Sequence, residues 1–139
     1  MKYILDTNIV SFAMAGDPEV TARIVASRST DILLPSPVVA EIEYGLARMP
    51  LSKRRERLAR NFRILASEMD RAPWTDDVSQ AFGQIKASLE RKGERIEDFD
   101  VAVAAHAVGL HATLVTDNVS HMGRIEGVEI ENWKRPSGS

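Results

Sequence analysis

Four acidic residues lie far apart in the sequence, each near the predicted end of a strand or the predicted start of a helix. Asp6 follows the apolar run Tyr3-Ile4-Leu5, and Asp117 follows a similar apolar run late in the chain. Glu41 and Asp100 lie near the predicted N-terminal ends of two helices. The carboxyl ends of parallel strands meet at one edge of a sheet, where ligands bind. The pattern therefore predicts that folding gathers these four carboxylates on one rim.

A cluster of carboxylates is electrostatically costly. Two unit charges about 4 Å apart repel by ~1 kcal/mol in bulk water and by ~4 kcal/mol at an effective dielectric constant of 20. Either the pKa values of the acids rise or a cation binds among them. Because the chain has no cysteine and the candidate ligands are all oxygen atoms, a hard ion such as Mg²⁺ or Mn²⁺ suits the cluster.

Each acid also has a structural explanation that the residues alone leave open. Asp6 is suited to cap the helix that follows it, and Glu41 would interact favourably with the dipole of its own helix. If Ser36 caps that helix, however, Glu41 lies too late in the sequence to complete a capping box. Asp98 as an N-cap, with Asp100 in the first turn, likewise accounts for both residues without any chemistry.

One predicted helix carries the only basic patch of the sequence. Its cationic residues are Lys53, Arg54, Arg55, Arg57, Arg60 and Arg63. Glu56 is the only acid among them. A solvated helix face explains this pattern, and so does contact with a polyanion backbone or an acidic partner. No aromatic residues interleave the arginines, so base stacking is not indicated there.

Composition and length indicate one ordinary globular domain. The chain has 139 residues, 44% hydrophobic and 27% charged, with a net charge of −2, which is typical of globular proteins. The absence of cysteine excludes disulfides, thiol nucleophiles and cysteine-ligated zinc. No apolar run approaches the ~20 residues of a membrane span, and the N-terminus lacks the apolar core of a signal peptide, so we expect a cytoplasmic protein. We place the domain at residues 1–134 and a polar tail at 135–139.

A parallel sheet is the architecture that would position the acids. The predicted strands end at Asp6, Leu34 and Thr116, with helices between them, and residues 128–131 alternate in the manner of a final edge strand. Parallel neighbours require right-handed crossovers, which place helices on the faces of the sheet. We therefore predict an α/β fold, specifically a three-layer α/β/α domain with a mostly parallel central sheet.

Four ordered motifs resemble those of PIN-domain ribonucleases, and above all the VapC toxins of bacterial type II toxin–antitoxin systems. The motifs are Leu5-Asp6-Thr7-Asn8, Ala40-Glu41-Ile42-Glu43-Tyr44-Gly45, Asp100 followed by Val103-Ala104-Ala105-His106-Ala107, and Val115-Thr116-Asp117-Asn118. Any one of them is a weak signal, whereas four in order at the family's spacing are specific. The resemblance covers nearly the whole chain, including the closing segment before Trp133.

This resemblance implies a PIN-like domain that cleaves RNA phosphodiester bonds with bound Mg²⁺ or Mn²⁺. Asp6, Glu41, Asp100 and Asp117 would be the catalytic acids that bind the metal, with Asp98 as a further candidate ligand. The residues expected to hold these acids in place are Thr7, Asn8, Thr116 and Asn118.

The resemblance also implies partners. It predicts a homodimer and a cognate VapB-like antitoxin that blocks the acidic groove, with a higher assembly between the two proteins. RNA would be selected by surface shape and basic residues, and the candidate RNA-binding residues are Arg54, Arg57 and Arg60. The chain would be toxic when its antitoxin is degraded.

Two other functional classes fit parts of the sequence. A metal-dependent phosphatase of the aspartyl-phosphate type would need a second acid two residues after the first, and Asn8 occupies that position. A non-catalytic interaction module would use the acids only as helix caps and the basic helix as a docking surface. Substitution of Asp100 separates this module from a nuclease, because only the nuclease loses its activity.

Overall fold

A five-stranded sheet forms the centre of the fold in the computed structural model, which describes residues 1–134. The strands are β1 (Tyr3–Leu5), β2 (Ile32–Pro35), β3 (Asp70–Ala72), β4 (Thr113–Val115) and β5 (Ile130–Glu131). Their order across the sheet is β3-β2-β1-β4-β5, and all neighbours are parallel. Ile4 and Leu5 of the central strand β1 are fully buried, as expected of a strand that is covered on both faces.

Seven helices connect the strands within residues 1–134. They are α1 (Thr7–Met14), α2 (Pro18–Ala26), α3 (Ser36–Ala47), α4 (Lys53–Ser67), α5 (Asp76–Arg91), α6 (Asp98–Gly109) and α7 (Val119–Met122). The Ser52 hydroxyl accepts a hydrogen bond from the Arg55 N–H at the start of α4, and Thr75 accepts one from Val78 at the start of α5. Such caps satisfy N–H groups that the helix leaves unpaired, and they define where α4 and α5 begin.

The strand order of the sheet has a switch point between the two neighbouring central strands, β1 and β4. Strands β1, β2 and β3 succeed one another toward one edge, and the chain then returns to β4 and β5 on the other side of β1. With right-handed crossovers, the helices of the two halves lie on opposite faces. A reversal of this kind opens a crevice at the carboxyl ends of the two central strands. Asp6 lies at that point, and its N–H donates to the Val115 carbonyl at 2.9 Å.

Helix α6 is buried over most of its circumference and packs closely on α5. Residues 101–107 are all buried, as the run of uncharged, mostly small residues after Asp100 predicts. An added Cβ at Gly109 would lie 2.8 Å from the Cα of Val78 on α5, which is closer than such atoms pack. The helix ends at Gly109, and this backbone contact is the reason for a glycine there. The left-handed conformation after the helix belongs to His111, at a φ of 54°.

The structure corrects three local predictions. β3 was missed, because it is a three-residue edge strand with two exposed residues and therefore shows no apolar pattern. Pro35, and not Ser36, is the N-cap of α3. Glu97, and not Asp98, is the N-cap of α6. The cap role predicted for Asp98 is therefore wrong, although both Asp98 and Asp100 lie in the first turn of α6, where acids are favourable.

The predicted α/β class is confirmed, and the sheet is parallel throughout the described residues. Of the predicted edge strand at 128–131, only Ile130–Glu131 pairs with β4. Among the helices of residues 1–134, none is both long and apolar enough to cross a membrane. The tail predicted at 135–139 lies outside the described residues.

Candidate metal centre

Asp6 is a buried carboxylate at the point where β1 meets α1. Only 4% of the residue is exposed. One carboxylate oxygen, Oδ1, accepts from the Thr7 N–H at 2.8 Å, and the other, Oδ2, accepts from the Thr116 hydroxyl at 2.8 Å. Burial raises the pKa of Asp6 above its ordinary value, and these two hydrogen bonds oppose the rise. The fold therefore orients this acid firmly while making its charge unfavourable.

Thr116 is the polar group that ties the two strand ends together. Its side chain is fully buried, and its hydroxyl donates to Asp6. The same oxygen accepts from the Asn8 side-chain amide at 3.3 Å and from the Asn118 N–H at 3.0 Å. A hydroxyl offers one donor and two acceptor positions, so its hydrogen-bonding capacity is fully used. Three of the residues predicted to hold the acids are thus joined in one network.

Thr7, the fourth residue predicted to hold the acids, links Asp6 to Glu41. Its backbone N–H donates to Asp6, and its hydroxyl donates to Glu41 Oε1 at 2.8 Å. Glu41 lies in the second turn of α3 and is partly exposed. A single residue at the start of α1 therefore positions two carboxylates, one at the junction of β1 and α1 and the other on α3.

Asp100 joins these two acids from the first turn of α6. Its side chain is 26% exposed. Partial burial, with the charges of Asp6 and Glu41, raises the pKa of Asp100 to about 6. His121 acts in the opposite direction, with its Nε2 atom 3.6 Å from Asp100 Oδ2. Three acids from β1, α3 and α6 thus share one crevice and repel one another there.

Asp117 lies at the same edge of the sheet but is directed elsewhere. It is exposed, and its Oδ1 atom accepts from the Asn132 side-chain amide at 2.9 Å. Its N–H donates to Asn8 Oδ1 at 3.0 Å. The charge of Asp117 does not contribute to the raised pKa of Asp100. Of the four predicted acids, the structure gathers three and leaves Asp117 at the rim.

Comparison with known protein families assigns the fold. A family model described as PIN domain matches residues 3–125. The chain belongs to the PIN domain family. The resemblance predicted from the four motifs is therefore confirmed, together with the three-layer architecture that this PIN domain was expected to have.

Relatives of this PIN domain match it over almost their whole length. Ribonuclease VapC2 of Rickettsia felis is 32% identical over 138 residues, which cover 97% of this chain and 100% of the relative. The tRNA(fMet)-specific endonuclease VapC of Salmonella typhimurium is 29% identical over 136 residues, with coverage of 96% and 98%. The solved structure of VapBC2 from Rickettsia felis, bound to a DNA fragment from its promoter, has a TM-score of 0.85 at 30% identity. It covers 96% of this chain and 99% of that one.

The remaining predicted site residues of this PIN domain lie outside the crevice cluster. Asp98 is 66% exposed and forms an ion pair with Lys86 at 3.1 Å. Arg54, Arg57 and Arg60 are exposed on α4, and within residues 1–134 none of the three forms an ion pair. Arg54 lines a groove of about 420 Å³ that also includes Thr7 and Glu41, so the basic helix borders the acids.

The donor set of this PIN domain fits a magnesium ion that keeps part of its hydration shell. Within residues 1–134, no three His, Asp or Glu side chains are close enough together to hold a metal ion by themselves. Mg²⁺ is usually bound by one or two carboxylates, several waters and substrate phosphates, because it sheds water reluctantly. Asp6 and Asp100 with raised pKa values, beside Glu41, supply such carboxylates and would gain from a cation.

Three residues close to the acids were not predicted from the sequence. Asn132 donates to Asp117, and His121 approaches Asp100, with Arg124 donating to the ring of His121. All three follow the Val115-Thr116-Asp117-Asn118 motif: His121 lies in the short helix α7, Arg124 lies just after it, and Asn132 directly follows β5. Their proximity to the motif was the only available signal, since the sequence pattern does not specify how these short elements approach the acids.

Proposed function

We propose that this PIN domain is a metal-dependent endoribonuclease and acts as the toxin of a toxin–antitoxin pair. The supporting observation is the convergence of Asp6, Glu41 and Asp100 in the crevice where the sheet reverses. Within residues 1–134, no lysine or arginine forms an ion pair with any of them. Relatives of equal length carry ribonuclease names, which favours RNA as the substrate.

The acids of the crevice would hold Mg²⁺ or Mn²⁺. Asp6 and Asp100 would bind the ion directly, Glu41 would lie beside them, and Asp117 would complete the set from the rim. When bound, the cation would polarise the scissile phosphate and lower the pKa of the attacking water. Asp98 is exposed and paired with Lys86, so it would not bind the ion.

The residues that hold the acids would keep this arrangement fixed during the reaction. Thr7 orients Glu41 and one oxygen of Asp6, and Thr116 orients the other oxygen of Asp6. A preorganised carboxylate set does not have to reorganise when the phosphodiester arrives, and this lowers the barrier of the reaction. Asn8 and Asn118 support Thr116 in turn.

RNA would reach the crevice along α4. Arg54, Arg57 and Arg60 would neutralise backbone phosphates, an interaction that gives affinity without reading the sequence. Replacing any one of these arginines should lower the dependence of RNA binding on salt concentration by about one unit of slope. With cellular RNA as its substrate, the protein would act in the cytoplasm. Residues 1–134 would form its nuclease domain.

A VapB-like antitoxin would inhibit the enzyme by covering the crevice. The groove that Thr7, Glu41 and Arg54 share has an apolar lining that includes Ile42 and Leu58. A partner segment with apolar side chains could fill this groove and end on the acids beside it. Solved structures of similar chains include DNA-bound VapBC from Salmonella typhimurium, which favours a VapB-like partner and a higher assembly for this chain.

A second copy of the chain would pack on the aromatic surface formed by Trp74 and Phe99. Each of these residues is 50% exposed. The Trp74 ring lies 5.0 Å from that of His106, and Phe99 lies seven residues before His106, on the same face of α6. Half-exposed aromatic residues on one face are typical of an interface. Light scattering of the double variant Trp74→Ser/Phe99→Ser should give a monomer where the unsubstituted protein gives a dimer.

RNA cleavage by the purified protein tests the catalytic proposal. We expect cleavage with Mg²⁺ and none with a chelator. Asp100→Asn should lower the rate by about a thousandfold, because loss of an interaction with the metal is worth ~4 kcal/mol of transition-state stabilisation. Asp98→Asn is the matched control, since this acid is only two residues away but exposed and paired with Lys86.

The control variants distinguish the proposal from its competitors. Equal activity of Asp100→Asn and the unsubstituted protein would contradict a metal-dependent nuclease and favour the interaction module. Hydrolysis of a phosphomonoester without cleavage of RNA would favour the phosphatase. In cells, induction of the chain should arrest growth, and sequencing of RNA 5′ ends should then identify the cleaved RNA.

A further inference from the structure

A histidine–arginine pair on the segment after β4 approaches the acids from a third side of the crevice. Arg124 Nη2 lies 2.8 Å from His121 Nδ1, and Arg124 Nε lies 3.4 Å from the His121 carbonyl. The other ring nitrogen, Nε2, lies 3.6 Å from Asp100 Oδ2. The pair is therefore aligned in the order Arg124, His121, Asp100.

The contact with Arg124 determines which ring nitrogen carries the proton. An arginine guanidinium donates hydrogen bonds and cannot accept them. His121 Nδ1 is then the acceptor, and this contact favours the tautomer whose proton is on Nε2. That N–H is on the edge of the ring nearest to Asp100.

Asp100 differs from the other two acids in how it is held. Threonine hydroxyls donate to Asp6 and Glu41 at 2.8 Å each. The side chain of Asp100, by contrast, accepts no direct hydrogen bond from any residue between 1 and 134, and His121 Nε2 is the group that forms a close pair with it.

We propose that His121 is a positioning residue for Asp100 and that Arg124 fixes its tautomer. His121 Nε2 approaches Asp100 Oδ2 to 3.6 Å, which is longer than a hydrogen bond. We expect the Nε2–H group to donate to this oxygen once the cation is bound, because the hydrogen bonds of a site are often long before its ligand arrives and shorten afterwards. Ligating carboxylates are generally hydrogen-bonded by an outer layer of residues, and loss of such a partner costs about 10–100-fold in metal affinity or activity. The inference rests on the proposed function, because it assigns a role toward the cation that the acids would bind.

Three substitutions test the pair on the RNA-free protein. His121→Leu removes both ring nitrogens and keeps an apolar side chain, whereas His121→Gln retains an amide N–H at a similar distance from the backbone. Arg124→Met keeps the aliphatic stem and removes the donors. His111→Asn is the matched control, because His111 is exposed, is not placed in the crevice, and has a left-handed backbone that asparagine tolerates.

Mg²⁺ affinity, measured by calorimetry, is the primary measurement. We expect His121→Leu to weaken Mg²⁺ binding about tenfold, His121→Gln to restore most of the affinity, and Arg124→Met to cause a smaller loss than His121→Leu. Cleavage of an RNA oligonucleotide at fixed, subsaturating Mg²⁺ should show a reduced kcat with an unchanged KM for RNA. His111→Asn should match the unsubstituted protein in both assays.

The results separate a positioning role from a structural one. Unchanged Mg²⁺ affinity in His121→Leu would overturn the inference, as would equal losses in His121→Leu and His121→Gln. If His121→Leu does not fold, Arg124→Met and His121→Gln still give the same comparison. A protein that binds Mg²⁺ through Asp100 but cleaves no RNA would contradict the proposed function while the affinity test of His121 remains valid. A protein that binds no Mg²⁺ would overturn both.

Discussion

Two groups of acidic side chains in this molecule differ in whether a lysine or arginine side chain pairs with them. In the crevice, Asp6, Glu41 and Asp100 share a small space without a lysine or arginine partner among residues 1–134. Near the start of α2, Asp17 and Glu19 both pair with Lys134, at 3.2 and 3.0 Å. Within residues 1–134, no lysine or arginine side chain neutralises the first group, whereas Lys134 neutralises the second.

The pKa values reflect this difference. Burial and neighbouring charges raise the pKa of Asp100 to about 6. The pKa of Asp17 is lowered, first by the hydrogen bond from the Val20 N–H and also by Lys134. Where acids only join parts of the fold, the chain supplies the compensating charge itself. Where it does not, either protonation or a cation from outside must offset the repulsion, and the raised pKa of Asp100 reflects the cost that a bound metal would relieve.

The largest effect should be the response to Mg²⁺. A ligand at about a hundred times its Kd stabilises a folded protein by ~2.7 kcal/mol. We expect thermal unfolding of the unsubstituted protein to shift upward accordingly and that of Asp100→Asn to remain unchanged. Lys134→Met serves as the control from the second acidic group and should retain the full shift. Loss of the shift in Lys134→Met would contradict the separation of the two groups.

Thr116→Val should cause the next largest change. The substitution keeps the shape of the buried side chain but removes the hydroxyl that serves Asp6, Asn8 and Asn118. Leaving buried polar groups unpaired costs about 1–3 kcal/mol. Urea unfolding should report a loss of this size. Thr113→Val is the matched control in β4, because that residue is also buried and its hydroxyl makes no hydrogen bond within the described residues.

Removal of the charge at Asp100 should stabilise the metal-free protein. The raised pKa means that the folded state binds a proton more tightly than the unfolded chain does, so stability rises as pH falls from about 7 through 6 toward 4. Asp100→Asn should be more stable at neutral pH by about 1–2 kcal/mol, and this advantage should vanish near pH 4. A constant difference between the two proteins across this range would contradict the repulsion.

The quantity to measure is the difference in stability between Asp100→Asn and the unsubstituted protein. Protonation of His106 changes the stability in the same pH range, but in the opposite direction. Burial lowers the pKa of His106, whose Nε2 atom has no hydrogen-bond partner among residues 1–134. The unfolded chain therefore binds this proton more readily, and stability falls as pH drops below 6.5, the ordinary histidine value. His106 is present in both proteins, so its contribution cancels in the comparison.

The smallest effect should come from Lys134→Met, measured in the absence of Mg²⁺. Its removal leaves Asp17 and Glu19 without their shared partner. We expect a modest decrease in the midpoint of urea unfolding at pH 7. Because acids with lowered pKa values stabilise the fold only while charged, the decrease should shrink below pH 4 as Asp17 becomes protonated. A decrease that does not depend on pH would assign the effect to packing against Phe12.

The sequence was sufficient to predict the features that depend on strand ends. Apolar runs followed by Asp6 and Asp117 predicted both the parallel sheet and its acidic edge, because side chains at the ends of parallel strands necessarily share an edge. β3 was not predictable in the same way, since its partly exposed Asp70–Ala72 segment is a strand only because β2 lies beside it. The local sequence pattern of a segment does not indicate such tertiary pairing.

The supporting side chains were harder to predict than the acids. Thr7 and Thr116 are adjacent to acids in the sequence and were found. His121 lies in the short helix α7, Arg124 just after it and Asn132 just after β5, and the sequence does not show how these elements approach the site. The N-cap of α3 was also misplaced, because Ser36 has the residue type of a cap but lies one position inside the helix. In each case the missing information was the path of the backbone.

The close backbone contact between Gly109 and Val78 fixes the C-terminal end of α6 against α5. Asp100 lies nine residues from Gly109, which corresponds to ~13 Å along a helix. A methyl group at residue 109 would push the two backbones apart, and a rigid helix would transmit that tilt to its opposite terminus. Natural selection for activity would therefore act on a glycine that never meets the substrate.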